Sequence, residues 1–202
     1  MLRTEVAAPP AAERFQISLG YEPREQFQAF HSRKHRWSCT VAHRRAGKTV
    51  ALILDLIDGA LRCKRKDPRF AYVAPLFTQA KDVAWSYLRQ YTAAIPGTTY
   101  NEAELRADLP NGARIRLYGA DNPERLRGLY FDGVGIDEFG DMEPRAWAEV
   151  IRPALADRNG WAAFIGTPRG QNHFEKMWND ARRDPAWFTA ELKASETGLL
   201  SD

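Results

Sequence analysis

Cysteine is scarce in this 202-residue chain: there are only Cys39 and Cys63, in neither a CxxC nor a Cys/His pair with zinc spacing. That excludes a disulfide framework and a thiolate metal centre, and both read as structural thiols. Histidine is sparse too, four in all and none at ligand spacing. No run reaches the roughly 18 apolar residues that a membrane-spanning helix needs. The opening segment MLRTEVAAPPAAERF lacks the apolar stretch of a signal peptide. The expectation is therefore a soluble intracellular protein, not secreted and with no membrane partner. Charge of one sign is also lacking, since 29 Lys and Arg stand against 26 Asp and Glu for a net +3. Such a balance permits an acidic partner without arguing for one.

What the chain does have is ordinary. Hydrophobic residues make up 44% and charged residues 27%, which excludes wholesale disorder, collagen and coiled coil. The length suits one large domain, or one domain carrying a small appendage. The Ala/Pro-rich start reads as a flexible arm over residues 1–18, and residues 19–202 read as the domain.

Hydrophobic patterning alternates between strands and helices along that domain. Strands are expected at Trp37–Ala42, Phe70–Ala74, Ala113–Tyr118, Tyr130–Ile136 and Trp161–Ile165, with a closing strand over Trp187–Leu192. Helices are expected from Val50, over Gln79–Ala94, over Arg145–Leu155 and over about Phe174–Arg183. This rhythm predicts an α/β fold with a mostly parallel central sheet flanked by helices. Ligands of such sheets bind outside the carboxyl ends of the strands. Three polar clusters, HRRAGKT, IDEFGD and GTPRG, follow predicted strands.

The first cluster carries the clearest chemistry. Ala42-His43-Arg44-Arg45-Ala46-Gly47-Lys48-Thr49 fits GxxxxGK[ST], with alanine in place of the first glycine. A loop between a strand and a helix turns successive backbone N–H groups inward around phosphates, and the helix N-terminus adds its dipole. Arg44, Arg45, Ala46 and Gly47 would form that cradle. Lys48 would reach the β and γ phosphates of ATP, and the Thr49 hydroxyl would ligate Mg2+. Val134-Gly135-Ile136-Asp137-Glu138 is an apolar strand ending in two carboxylates. The first suits Mg2+ and the second suits the orientation of an attacking water.

Weaker signals surround these. Thr167 in Gly166-Thr167-Pro168 offers a hydroxyl that could sense the γ-phosphate, but the tripeptide is also a plain turn. Gln26 in Pro23-Arg24-Glu25-Gln26 has the donor and acceptor an adenine edge needs, and it equally suits a solvated helix start. Arg127 in Arg125-Leu126-Arg127-Gly128 could stabilise charge developing on a phosphate, or simply sit in a basic surface turn.

Taken together, PREQFQAFH (23–31), AHRRAGKT (42–49), YVAPLFTQAK (72–81), RLRGLYFDGVGIDE (125–138) and FIGTPRGQNHF (164–174) run collinearly. They resemble the ATPase domain of the large terminase subunit of tailed bacteriophages. The resemblance implies a P-loop NTPase fold of ASCE type, with the acidic strand beside the P-loop strand. It implies ATP-driven translocation of double-stranded DNA into a procapsid, in the cytoplasm of an infected bacterial host. It further implies a homo-oligomeric ring and, as partners, the portal protein and the small terminase subunit. Matched position by position, Lys48 and Thr49 inherit phosphate and Mg2+ binding. Asp137 inherits the Mg2+ role, Glu138 that of catalytic base, and Thr167 the coupling of hydrolysis to motion. Gln26 looks like the adenine-contacting glutamine, and Arg127 resembles an arginine acting in trans on a neighbour's ATP. Large terminases usually add a C-terminal nuclease domain, and this chain stops at Asp202. The resemblance thus predicts ATP hydrolysis without DNA cleavage.

Two other readings compete. A superfamily 2 helicase fragment would need a second motor domain, and its acidic motif would usually extend with His or a further Asp. Phe139 and Gly140 stand there instead. A non-hydrolysing DNA-binding assembly module would have no need of an intact Lys48, Thr49, Asp137 and Glu138.

Overall fold

The computed structural model describes residues 18–197. The arm expected over 1–18 lies, save Ser18, outside those residues. Helix α1 (Glu25–Ser32) leads into strand β1 (Trp37–Ala42), a phosphate-loop sequence and helix α2 (Lys48–Arg62). Strand β2 (Arg69–Ala74) is followed by a helical run of α3 (Phe77–Gln79), a π-helical stretch Ala80–Ala84 and α4 (Trp85–Thr92). Strands β3 (Thr99–Asn101), β4 (Arg106–Asp108) and β5 (Arg114–Gly119) come next, then β6 (Gly133–Asp137). A π-helical stretch Ala146–Ile151 and α5 (Arg152–Ala154) precede β7 (Trp161–Gly166), α6 (His173–Ala181), β8 (Trp187–Leu192) and α7 (Ala194–Thr197).

These strands form one eight-stranded sheet in the order β3-β4-β5-β2-β6-β7-β1-β8. Of its pairs, β3–β4 and β4–β5 are antiparallel and the rest parallel. The central strands read as near-continuous apolar runs because both faces are covered. Alternate residues of β2 show it: Phe70, Tyr72 and Ala74 join the core under α1, α2 and α4. Ala71 and Val73 join the opposite core with Phe139, Val150 and Phe174. Helix α2 lies close on β6 at Gly135, where a Cβ would stand only 2.8 Å from Leu52 Cγ. That close approach seats the start of α2 over the end of the acidic strand. Among the described residues no helix is long and apolar enough to cross a membrane.

The strand order departs from expectation. The acidic strand β6 does not lie beside the P-loop strand β1, because β7 runs between them and pairs with both. Ile165 sits opposite Asp137, and Gly166 opposite Val41. The insertion delivers Thr167 into the gap between the two motifs. The β3–β4 hairpin was also not expected. Three-residue strands are too short to show an alternation, and this pair is held by its antiparallel backbone register, with Thr99 opposite Asp108, Tyr100 opposite Ala107 and Asn101 opposite Arg106. The helix expected over Arg145–Leu155 is largely π-helical, and Pro153 withholds an N–H donor from its last turn. The strand expected from Tyr130 begins only at Gly133, because the Phe131 amide leaves the sheet to donate to the Ala154 carbonyl at 2.9 Å.

Candidate active site

The loop after β1 turns sharply. Arg45 has φ 63° and Gly47 φ 96°, both left-handed, which reverses the chain between strand and helix. Ala46 is buried, whereas Arg44 and Arg45 are exposed. Arg24 braces the turn, donating from Nη1 to the Ala46 carbonyl at 3.0 Å. Its guanidinium covers Gly47 so closely that a Cβ there would lie 3.4 Å from Nη1.

Lys48 opens α2 with its side chain only 8% exposed. Its ammonium donates to the His43 carbonyl at 3.1 Å and to Thr167 Oγ1 at 2.9 Å. It also lies 3.4 Å from Glu138 Oε1. Glu138 is strapped to β7 in turn. It accepts from the Thr167 amide at 2.9 Å, and from the Thr167 hydroxyl at 2.9 Å. Its backbone is left-handed, with φ 51° and ψ 49°. A non-glycine residue held there signals local strain, which concentrates at functional sites. Lysine, threonine and glutamate thus satisfy one another in a closed triangle.

A second group sits beside it. Thr49 Oγ1 donates to Asp137 Oδ2 at 2.7 Å, and the Tyr72 hydroxyl donates to the same oxygen at 2.7 Å. Asp137 Oδ1 is buried with no hydrogen-bond partner among the described residues. Burial pushes the Asp137 carboxyl above the usual range, more than the Tyr72 and Thr49 hydrogen bonds pull it down. Burial, with the Asp137 charge behind it, also drives the Tyr72 phenol well above its usual value. An orphaned, dry carboxylate oxygen beside a threonine hydroxyl is a donor set that suits Mg2+, which typically takes one or two carboxylates plus phosphates and water. Among the described residues no cluster of three or more His, Cys, Asp and Glu could hold a metal alone.

The structure therefore gathers Lys48, Thr49, Asp137, Glu138 and Thr167 at the carboxyl ends of β1, β6 and β7. Two further candidates, Arg127 and Gln26, are engaged by other partners. Arg127 is 55% exposed in its side chain and pairs with Glu124 at 2.5 Å. Gln26 donates to the Thr197 carbonyl at 3.2 Å, and His43 Nε2 lies 2.8 Å from Thr197 Oγ1. So the residue expected to read adenine is held by α7. Two participants escaped the sequence pattern. Arg24 has the local pattern of an ordinary helix start, and Tyr72 that of any aromatic in a buried strand.

The family model for the terminase large subunit, T4likevirus-type, N-terminal, matches residues 39–197. The chain belongs to that family. The large terminase subunit of Thermus virus P23-45 is 28% identical to this terminase domain over 188 residues, covering 83% of this chain and 38% of the relative. The chain thus spans well under half the length of that curated relative. In structure, the large terminase ATPase domain of Thermus phage P74-26 superposes with a TM-score of 0.75 at 22% identity, covering 92% of this chain and 89% of that one. The large terminase of another thermophilic bacteriophage, in complex with ADP, gives 0.73 at 15% identity, covering 88% and 47%. The fold is that of a terminase ATPase domain.

Proposed function

We propose that this terminase domain, over residues 19–202, hydrolyses ATP as the motor that drives double-stranded DNA into a procapsid. The observation that carries the reading is the triangle of Lys48, Thr167 and Glu138 standing beside the Thr49–Asp137 pair. The thermophilic phage terminase bound to ADP supports the choice of nucleotide.

Lys48 is engaged by Thr167 and Glu138. The phosphates of ATP, cradled by Arg44, Arg45, Ala46 and Gly47, offer Lys48 stronger anionic partners. Once Lys48 turns to them, Glu138 loses its nearest cation and its carboxylate becomes free to orient a water. Thr167 keeps contact with Glu138 through its amide, so the state of the carboxylate is felt along β7. That gives a physical route for coupling hydrolysis to movement. Mg2+, held by Thr49 and Asp137, would neutralise charge on the phosphate oxygens. Arg127, exposed and paired with its own neighbour Glu124, is available to a second subunit of a ring as a trans-acting arginine. Gln26 would have to exchange the Thr197 carbonyl for adenine. The portal protein and the small terminase subunit are the partners this reading assigns, in the cytoplasm of the infected host.

Phosphate release from ATP, titrated over protein concentration, tests the proposal. Glu138→Gln should lower turnover about 10²–10⁴-fold while nucleotide still binds. Lys48→Ala should abolish turnover. A rise steeper than linear with protein supports shared sites and Arg127 in trans. Full activity in either variant would overturn the assignment.

A further inference from the structure

Tyr72 stands opposite Gly135 in the β2–β6 register. Asp137 is the next residue of β6 on the same face, a diagonal neighbour within reach of a long aromatic side chain. The tyrosine is 3% exposed and its ring belongs to the core under α2. Only its hydroxyl enters the site, where it meets Asp137 Oδ2 at 2.7 Å. That oxygen has two donors, Tyr72 and Thr49, and among the described residues the other oxygen has none.

The division of labour between the two donors follows. A threonine hydroxyl has one proton and two lone pairs, so Thr49 can offer a lone pair to a divalent cation while its proton stays on Asp137 Oδ2. Tyr72 supplies the hydrogen bond to Oδ2 that comes from outside the phosphate loop, from a group that need not meet the cation. We propose that Tyr72 is the positioning residue of the metal carboxylate: it fixes Oδ2 from the β2 side, so that Oδ1 stays turned to and available for a divalent cation. The proposal rests on the ATP·Mg2+ reading above. A phenol suits the task better than an arginine or lysine would. It fixes the carboxylate without cancelling the negative charge that attracts the cation. Partners that orient metal ligands typically matter ten- to a hundredfold in affinity.

The test uses the full chain with ADP and Mn2+ as probes. ADP affinity is measured in a metal chelator, and Mn2+ binding to the ADP complex is followed by the loss of the free Mn2+ electron paramagnetic resonance signal. Tyr72→Phe keeps the ring and its packing. It should raise the Mn2+ concentration for half-saturation about ten- to a hundredfold and leave chelator-phase ADP affinity unchanged. A chain with 4-aminophenylalanine at position 72 keeps a donor at the same place and should recover most of the loss. Wild-type Mn2+ binding in Tyr72→Phe overturns the proposal, and so does an equal loss of ADP and Mn2+ binding, which would mark Tyr72 as packing alone. Failure of the unsubstituted protein to bind ADP at all would instead bring down the nucleotide-site reading itself.

Discussion

Strand β6 has an aspartate at each end, and the fold treats the two oppositely. Asp132, just before the strand, has a side chain 3% exposed. Its Oδ1 accepts from Arg65 at 2.9 Å and Arg158 at 3.1 Å, and its Oδ2 accepts from the Arg69 amide at 2.9 Å. Burial pushes this carboxyl up, but the Arg158 hydrogen bonds, the Arg69 amide and Arg65 together carry it below the usual range. Asp137, at the other end, has only neutral donors, leaves one oxygen unpartnered and ends above the usual range. Asp55 follows the first pattern, with Arg33 clasping both its oxygens at 2.8 and 2.6 Å. The lesson is chemical. An acid that serves the fold is neutralised by the chain's own cations. The acid that the proposal gives to a ligand keeps its charge only partly compensated in a dry place, at a cost to stability that a bound cation would relieve.

Paired substitutions should break this comparison most forcefully. Asp132→Asn strips the anion from two arginines and sets an amide against guanidinium donors, so it should cost about 2–3 kcal/mol in unfolding free energy. Asp137→Asn removes a buried charge that the Tyr72 and Thr49 hydrogen bonds and the nearby Lys48 offset only in part. It should leave the fold at least as stable as the unsubstituted protein, while divalent-cation binding is lost. Urea unfolding of both variants, without metal or nucleotide, measures the difference. Equal destabilisation would mean that Asp137 is a structural acid like Asp132.

The same contrast explains what could be read from the sequence. Lys48, Thr49, Asp137, Glu138 and Thr167 were legible because their chemistry sits at fixed offsets from the ends of apolar strands. Asp132 was swallowed by the strand expected from Tyr130, since nothing local says that Arg65 and Arg158 converge on it from distant loops. Tyr72 was illegible for the converse reason. Its ring obeys the pattern of a buried strand, and only the register with β6 shows where the hydroxyl ends. Strand order was hidden as well, because hydrophobic patterning identifies β1, β6 and β7 without saying which lies in the middle. Gln26 and Arg127 show the limit on the other side. The motif around each is recognisable, yet each is bound to a residue of its own chain, Thr197 and Glu124, which local patterning does not reveal.

Acidification should sharpen the comparison with a smaller effect, because the two carboxyls act with opposite sign. Asp132 is depressed in the folded chain, so its contribution is complete above the ordinary carboxylate value of 3.8 and is lost as pH falls through its lower folded value. Asp137 is raised, so the folded chain takes up its proton before the unfolded chain does. Its ionised form burdens the fold at neutral pH, and that burden lifts as pH falls through the raised value towards 3.8. Unfolding free energy measured against pH therefore separates them. The gap between unsubstituted protein and Asp137→Asn should narrow on acidification towards 3.8, where neither carries the charge in the folded state. The gap to Asp132→Asn should hold over that interval and close only below it, once the Asp132 carboxylate itself is protonated. If both gaps changed over the same pH interval, the two ends of β6 would be electrostatically alike, and the unpartnered oxygen of Asp137 would lose its standing as the mark of a cation site.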